Sequence, residues 1–214
     1  MKPTNFFIKD IKEFQSANKN LKNIFNTNKE LPHQVFNQRC DYYLFEEFYW
    51  GMCEEFWPTV QYLTKIFSEK EVTVAVLDPH PTNYFYKEFG YFNYLKLPTS
   101  LSSKEYRNVL EIGPEDYPAD APYYHSEKIV WFSSSKKWAI WGERSLDICV
   151  IGFNKSVLLD HLMKSPSKWS YLNEDVEDLI GLNFRNMTLP QDFKDSLSKT
   201  MLMIEIVNEY YINL

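Results

Sequence analysis

Apolar and polar positions in this chain follow two different periods, and the two-residue period is clearest between residues 128 and 153. Lys128-Ile129-Val130-Trp131-Phe132-Ser133 reads as a strand and Ser134-Ser135-Lys136 as its turn. Lys137-Trp138-Ala139-Ile140-Trp141-Gly142 is a second strand, Glu143-Arg144-Ser145 a second turn, and Leu146 to Phe153 a third strand. Connections this short join antiparallel neighbours, so the segment predicts a β-meander. Ile129 and Trp131 alternate with Val130 and Phe132, which makes both faces apolar, and a sheet apolar on both faces needs cover on both. Glu71-Val72-Thr73-Val74-Ala75-Val76-Leu77 predicts a further strand, stopped by Asp78-Pro79-His80-Pro81.

The helical period carries the other expectations. At about 100° per residue, Phe45, Phe48, Met52 and Phe56 share one side of residues 41–56, with Tyr42 and Tyr49 at its edge. This predicts a core-facing helix that Pro58 ends or restarts, followed by a second helix to about Phe67. Ser102-Ser103-Lys104-Glu105 is a capping box opening a short helix. Asn154 and Asn173 are placed to cap two more, the first over residues 155–164. Thr188-Leu189-Pro190-Gln191 opens a long C-terminal helix over 190–211, striped by Phe193, Leu197, Thr200, Ile204, Val207 and Tyr211. Leu202, Met203 and Ile206 lie off that stripe, so the helix is either buried on two sides or meets another subunit. Residues 1–30 are rich in Lys and Asn, with Phe6, Phe7, Ile11, Phe14, Leu21 and Phe25 at loose helical spacing. They read as a helical extension packed on the body, and residues 82–98 as aromatic and irregular. With no repeat and no linker, the expectation is one α+β domain over residues 1–214. It has an antiparallel meander at about 128–153, strand 71–77 and several packed helices.

Composition narrows the partners. The net charge of −6 argues against nucleic acid as the main ligand, because phosphate binding needs a basic field. Cys40, Cys53 and Cys149 form neither a disulfide framework nor a CxxC pair, and read as free thiols in a reducing compartment. The first ten residues hold no apolar stretch of signal-peptide length. The apolar run Ile148 to Phe153 is far shorter than the roughly 20 residues that span a bilayer. A cytoplasmic protein without membrane contact is expected.

No linear catalytic signature is present: no GxGxxG, P-loop, HExxH, GxSxG or EF-hand loop. Asp78 and His80 follow a strand, and with His125 and Glu143 they define a candidate acid/base or metal-binding hydrolase site, provided they converge. Taken alone, Asp78 to Pro81 is a rigid turn, Glu143-Arg144 a charged hairpin turn, and Cys53 and Cys149 inert thiols. Neither a cofactor nor a metal is expected.

The stronger candidate is a binding surface. Asp41, Glu46, Glu47, Glu54 and Glu55 precede Thr64 with no intervening Lys or Arg. On a helix, Tyr43, Glu47, Trp50 and Glu54 fall at i, i+4, i+7 and i+11, one stripe opposite the core side. Aromatic rings between carboxylates suit a basic protein partner, the rings supplying area and the acids steering approach. The competing reading sandwiches this helix in the core, with Trp50 buried.

An acidic, aromatic-rich α+β chain of this kind resembles the immunity proteins that bacteria keep in the cytoplasm against secreted toxins. The resemblance is one of character. The stretch Ile129-Val130-Trp131-Phe132 through Trp138 to Arg144 is similar to uncharacterised bacterial proteins and transfers no functional residue. It implies a non-enzymatic protein that binds a basic toxin domain. A small hydrolase and a scaffold subunit are the other classes, and the oligomeric state stays open.

Overall fold

The computed structural model describes residues 6–164 and 169–201. In chain order the elements are α1 (Ile11–Ile24), β1 (Tyr42–Glu47), α2 (Trp57–Ile66), β2 (Glu71–Asp78), α3 (Lys87–Phe89) and β3 (Tyr94–Pro98). There follow α4 (Ser103–Leu110), β4 (Lys128–Phe132), β5 (Trp138–Glu143), β6 (Ile148–Phe153), α5 (Ser156–Lys164), α6 (Glu174–Gly181) and α7 (Gln191–Met201). The strands form one six-stranded sheet in the order β1-β6-β5-β4-β2-β3. Every neighbouring pair is antiparallel. The fold is α+β, and the meander β4-β5-β6 occupies the interval the alternation predicts.

Alternation sorts the core into two layers. Ile129, Trp131, Ile140 and Ile151 face one side, packed under α2, α4 and α5. Val130, Phe132, Trp141 and Val150 face the other, packed under α1, α6 and α7. Three of the helices, α1, α4 and α6, begin at side-chain caps. The Asp10 carboxylate accepts the Glu13 N–H of α1 at 2.8 Å, and Ser102 and Glu105 close the capping box of α4. Asn173 accepts the Val176 N–H of α6. α1 then buries Phe14, Ala17, Leu21 and Ile24 against the sheet, so the N-terminal segment is part of the second core layer.

Both sheet edges are met by isolated bridges, Phe7 to Leu95 beside β3 and Ser170 to Phe45 beside β1. Such cover keeps an edge from pairing with other chains.

The helix expected over 41–56 does not form. Residues 42–47 are the edge strand β1, and Phe48–Met52 and Glu54–Phe56 are short 3-10 turns. The burial prediction nevertheless holds, since Phe45, Phe48, Met52 and Phe56 are all buried. In a segment where nearly every residue is apolar, several periods fit the same burial. The ladder with β6 decides, pairing Tyr42 with Phe153 through to Glu47 with Ile148. Strand β3 is likewise a correction to the irregular reading of 82–98. Its signal was the alternation of Leu95 and Leu97, both buried, with Lys96, which reaches out to Glu13 at 2.7 Å. The C-terminal helix is described to Met201. Its expected continuation to 211, with Ile204, Val207, Tyr211, Leu202, Met203 and Ile206, lies outside the described residues.

Candidate functional site

The predicted stripe Tyr43, Glu47, Trp50 and Glu54 is broken by the strand. Tyr43 points into the second core layer, 6 % exposed, against Phe36. Its hydroxyl accepts the Cys40 N–H at 3.1 Å. Trp50 belongs to the opposite layer, half-buried against the first core. Its indole N–H is buried without an acceptor among the described residues, a cost of about 1–3 kcal/mol borne at this segment. Glu47, Glu54 and Glu55 are exposed, as is Tyr49. Three of the four stripe residues thus reach or approach the surface, and Tyr49 takes the aromatic place assigned to Tyr43.

Three features shape this surface. First, Gly51 lets the chain pass close to the sheet: a Cβ there would sit 3.1 Å from the Trp131 ring. Second, the Tyr106 hydroxyl donates to the Gly51 carbonyl at 2.6 Å and accepts the Trp131 indole N–H at 3.0 Å, pinning the turn to the core. Third, Arg144 clamps the exposed ring. Its guanidinium donates to the Tyr49 hydroxyl at 2.9 Å, to the Tyr123 carbonyl and the Ser126 carbonyl at 2.8 Å each, and to the Ser126 hydroxyl. It also lies over the Phe48 and Tyr49 rings at 4.8 and 5.2 Å. Tyr49 is therefore held 42 % exposed and rigid.

Carboxylates and guanidinium groups both lie around it. The Phe48 N–H donates to the Asp147 carbonyl at 3.1 Å, bringing Asp147 beside the end of β1. Burial, and then the Glu47 charge, raise the Asp147 carboxyl above its ordinary value, with Arg144 opposing. The Cys53 thiol is raised by burial, then by Glu55 and more weakly by Glu47, with Arg107 opposing. Glu47 thus acts on both Asp147 and Cys53 and Glu55 on Cys53, with Arg144 and Arg107 as the opposing cations.

The second predicted set does not converge. The Asp78 carbonyl receives the Glu127 N–H in the β2–β4 ladder region. His80 is a helix cap, its Nδ1 accepting the Thr82 and Asn83 N–H groups at 3.2 and 3.1 Å. His125 pairs instead with Asp120, Nδ1 to Oδ1 at 2.7 Å, and the Tyr84 hydroxyl donates to the same oxygen at 2.8 Å. No spacing in the sequence joins 84, 120 and 125. An Asp-held imidazole can move a proton. No group of three or more His, Cys, Asp or Glu able to hold a metal ion occurs among the described residues. The three thiols are all held protonated by burial, Cys40 up to about 11.

Glu143 is structural. Only 3 % exposed, it accepts the Trp141 indole N–H at 3.1 Å and the Leu31 N–H at 3.2 Å. Burial raises its carboxyl above the usual value, with the Trp141 and Leu31 hydrogen bonds and then Lys128 opposing. The folded chain therefore keeps this proton to higher pH than the unfolded chain, and stability from this group falls as pH rises between the two values. Glu143→Gln keeps an acceptor for both donors and removes that fall. Its melting temperature relative to the parent should climb as pH rises from the ordinary carboxylate range through the raised value of the folded chain, read by thermal denaturation. A difference independent of pH would mean that the two hydrogen bonds and Lys128 together fully offset the burial.

No family model matches the chain, and comparison with curated proteins and with solved structures finds no match. No helix among the described residues is long and apolar enough to cross a membrane.

Proposed function

We propose that the chain is a non-enzymatic protein-binding protein that takes a basic partner on the surface of residues 47–55. The observation that supports this is an exposed Tyr49, held by Arg144, in a segment whose carboxylates Glu47, Glu54 and Glu55 are all exposed. The ring's ordering entropy is already met by the Arg144 clamp, so its burial under a partner counts almost fully toward affinity. A Lys or Arg from that partner relieves the repulsion that Glu47 exerts on Asp147. In its finer form the proposal makes the partner a toxin domain and the chain a cytoplasmic immunity protein, after the resemblance in character. Tyr49→Ala is expected to weaken the partner complex by about 2 kcal/mol, measured by titration calorimetry. A loss below about 0.5 kcal/mol in a folded variant would remove Tyr49 from the interface.

One observation favours a second reading, an acid–base centre at His125. Asp120 and Tyr84 hold this imidazole, and its side chain is 41 % exposed. Under that reading a hydrolytic activity found in a substrate screen disappears in His125→Ala, and activity that survives the substitution rejects it.

A further inference from the structure

The surface of residues 47–55 continues past Tyr49, because two arginines tie this segment to the loop between α4 and β4. Arg144 donates to the Tyr49 hydroxyl at 2.9 Å and to the Tyr123 carbonyl at 2.8 Å. Arg107 donates to the Met52 carbonyl at 3.0 Å and lies over the Tyr123 ring at 3.7 Å. The Tyr123 ring in turn meets the Tyr124 ring edge-on at 4.9 Å. The half-buried Tyr123 thus has an exposed ring as its neighbour in each segment, Tyr49 at 42 % and Tyr124 at 56 % exposure.

Both arginines are engaged within the fold. Arg107 pairs with Glu111 at 2.7 Å, and Arg144 serves two carbonyls and two hydroxyls. The exposed Glu47, Glu54 and Glu55 form no ion pair among the described residues. Three unpaired carboxylates and two exposed rings select for a cation that can use both. The cations already seated here are guanidinium groups laid over rings, Arg107 on Tyr123 and Arg144 on Phe48 and Tyr49. Among the described residues no cation lies over the Tyr124 ring. A planar guanidinium stacks on an aromatic face while its N–H groups bond a carboxylate, whereas an ammonium is a compact, strongly hydrated point charge. We infer that the partner is a basic protein that presents an arginine, that Tyr124 receives its guanidinium, and that the carboxylates of residues 47–55 steer its approach. This rests on the reading of 47–55 as the surface for a basic partner, and adds a ring outside that segment and the identity of the cation.

The test titrates the ¹⁵N-labelled chain with hexa-arginine and, separately, with hexa-lysine, followed by amide NMR at low salt. Both peptides should move the resonances of residues 47–55, and hexa-arginine should also move those of Tyr123, Tyr124 and His125. Hexa-arginine should bind about threefold more tightly, the effect of one exposed cation–π contact. Tyr124→Ala, an exposed change, should bring the two peptides to equal affinity, and Tyr124→Phe should keep the preference. Shifts confined to residues 47–55, equal affinity of the parent for both peptides, or a preference that survives Tyr124→Ala overturns the inference and leaves the basic-partner reading in place. No shift at residues 47–55 with either peptide overturns that reading, and this inference with it.

Discussion

Trp131→Ala is expected to destabilise the chain by about 4 kcal/mol, the upper range for removing a buried aromatic side chain. Trp131 is fully buried in the sheet, meets Phe56 edge-on at 5.4 Å, and approaches Gly51 across the gap that a Cβ would close. Its loss opens a cavity beneath the turns that carry residues 47–55. Against a typical domain stability of about 5–15 kcal/mol, that is a large fraction. Tyr106→Phe separates the hydrogen bonds from the packing. It leaves the Trp131 N–H and the Gly51 carbonyl buried without their shared partner, while the stack of this ring on Trp57 at 4.6 Å remains. A cost of about 2 kcal/mol follows from two unmet polar groups. Urea denaturation reads both variants. A loss under about 1 kcal/mol for Trp131→Ala would mean that the segment is not seated on the sheet as described.

Arg144→Ala is expected to cost about 3 kcal/mol and to weaken partner binding as well. Its guanidinium serves two carbonyls and two hydroxyls from two separate stretches of chain, and all four lose a charged donor together. Arg144→Lys keeps the charge but not the planar fork, and should recover less than half of the stability. Denaturation gives the stability, and calorimetry against the partner gives the second effect. Because the clamp orders Tyr49, binding should fall even at a temperature where the variant is fully folded. A stable variant with normal binding would make Tyr49's orientation irrelevant.

These two residues also show what was legible in the amino-acid order. Trp131 sits in a two-residue alternation that only a doubly covered strand satisfies, so the meander and its two-sided burial follow from local pattern. Arg144 read only as part of a charged hairpin turn, because its partners at 49, 123 and 126 are joined by tertiary folding alone. Residues 41–56 lie between these cases. The buried set Phe45, Phe48, Met52 and Phe56 is correct under either period, but the element depends on β6, more than 100 positions away in the register. That choice moved Tyr43 into the core and brought Tyr49 to the surface. His80 was legible as a turn residue, and its role as a cap agrees with that plain reading. Glu143 gave no local sign of burial, since its acceptors' partners are a neighbouring indole and a backbone N–H from residue 31.

The most direct measurement compares capture from native lysate by the parent chain and by Glu47→Lys/Glu55→Lys, a variant altered only at exposed positions. The account predicts one stoichiometric basic protein recovered by the parent, lost in the variant and released by raised salt, because the interaction is charge-steered. Equal recovery by both chains, with the variant shown to be folded, would contradict a partner site at residues 47–55.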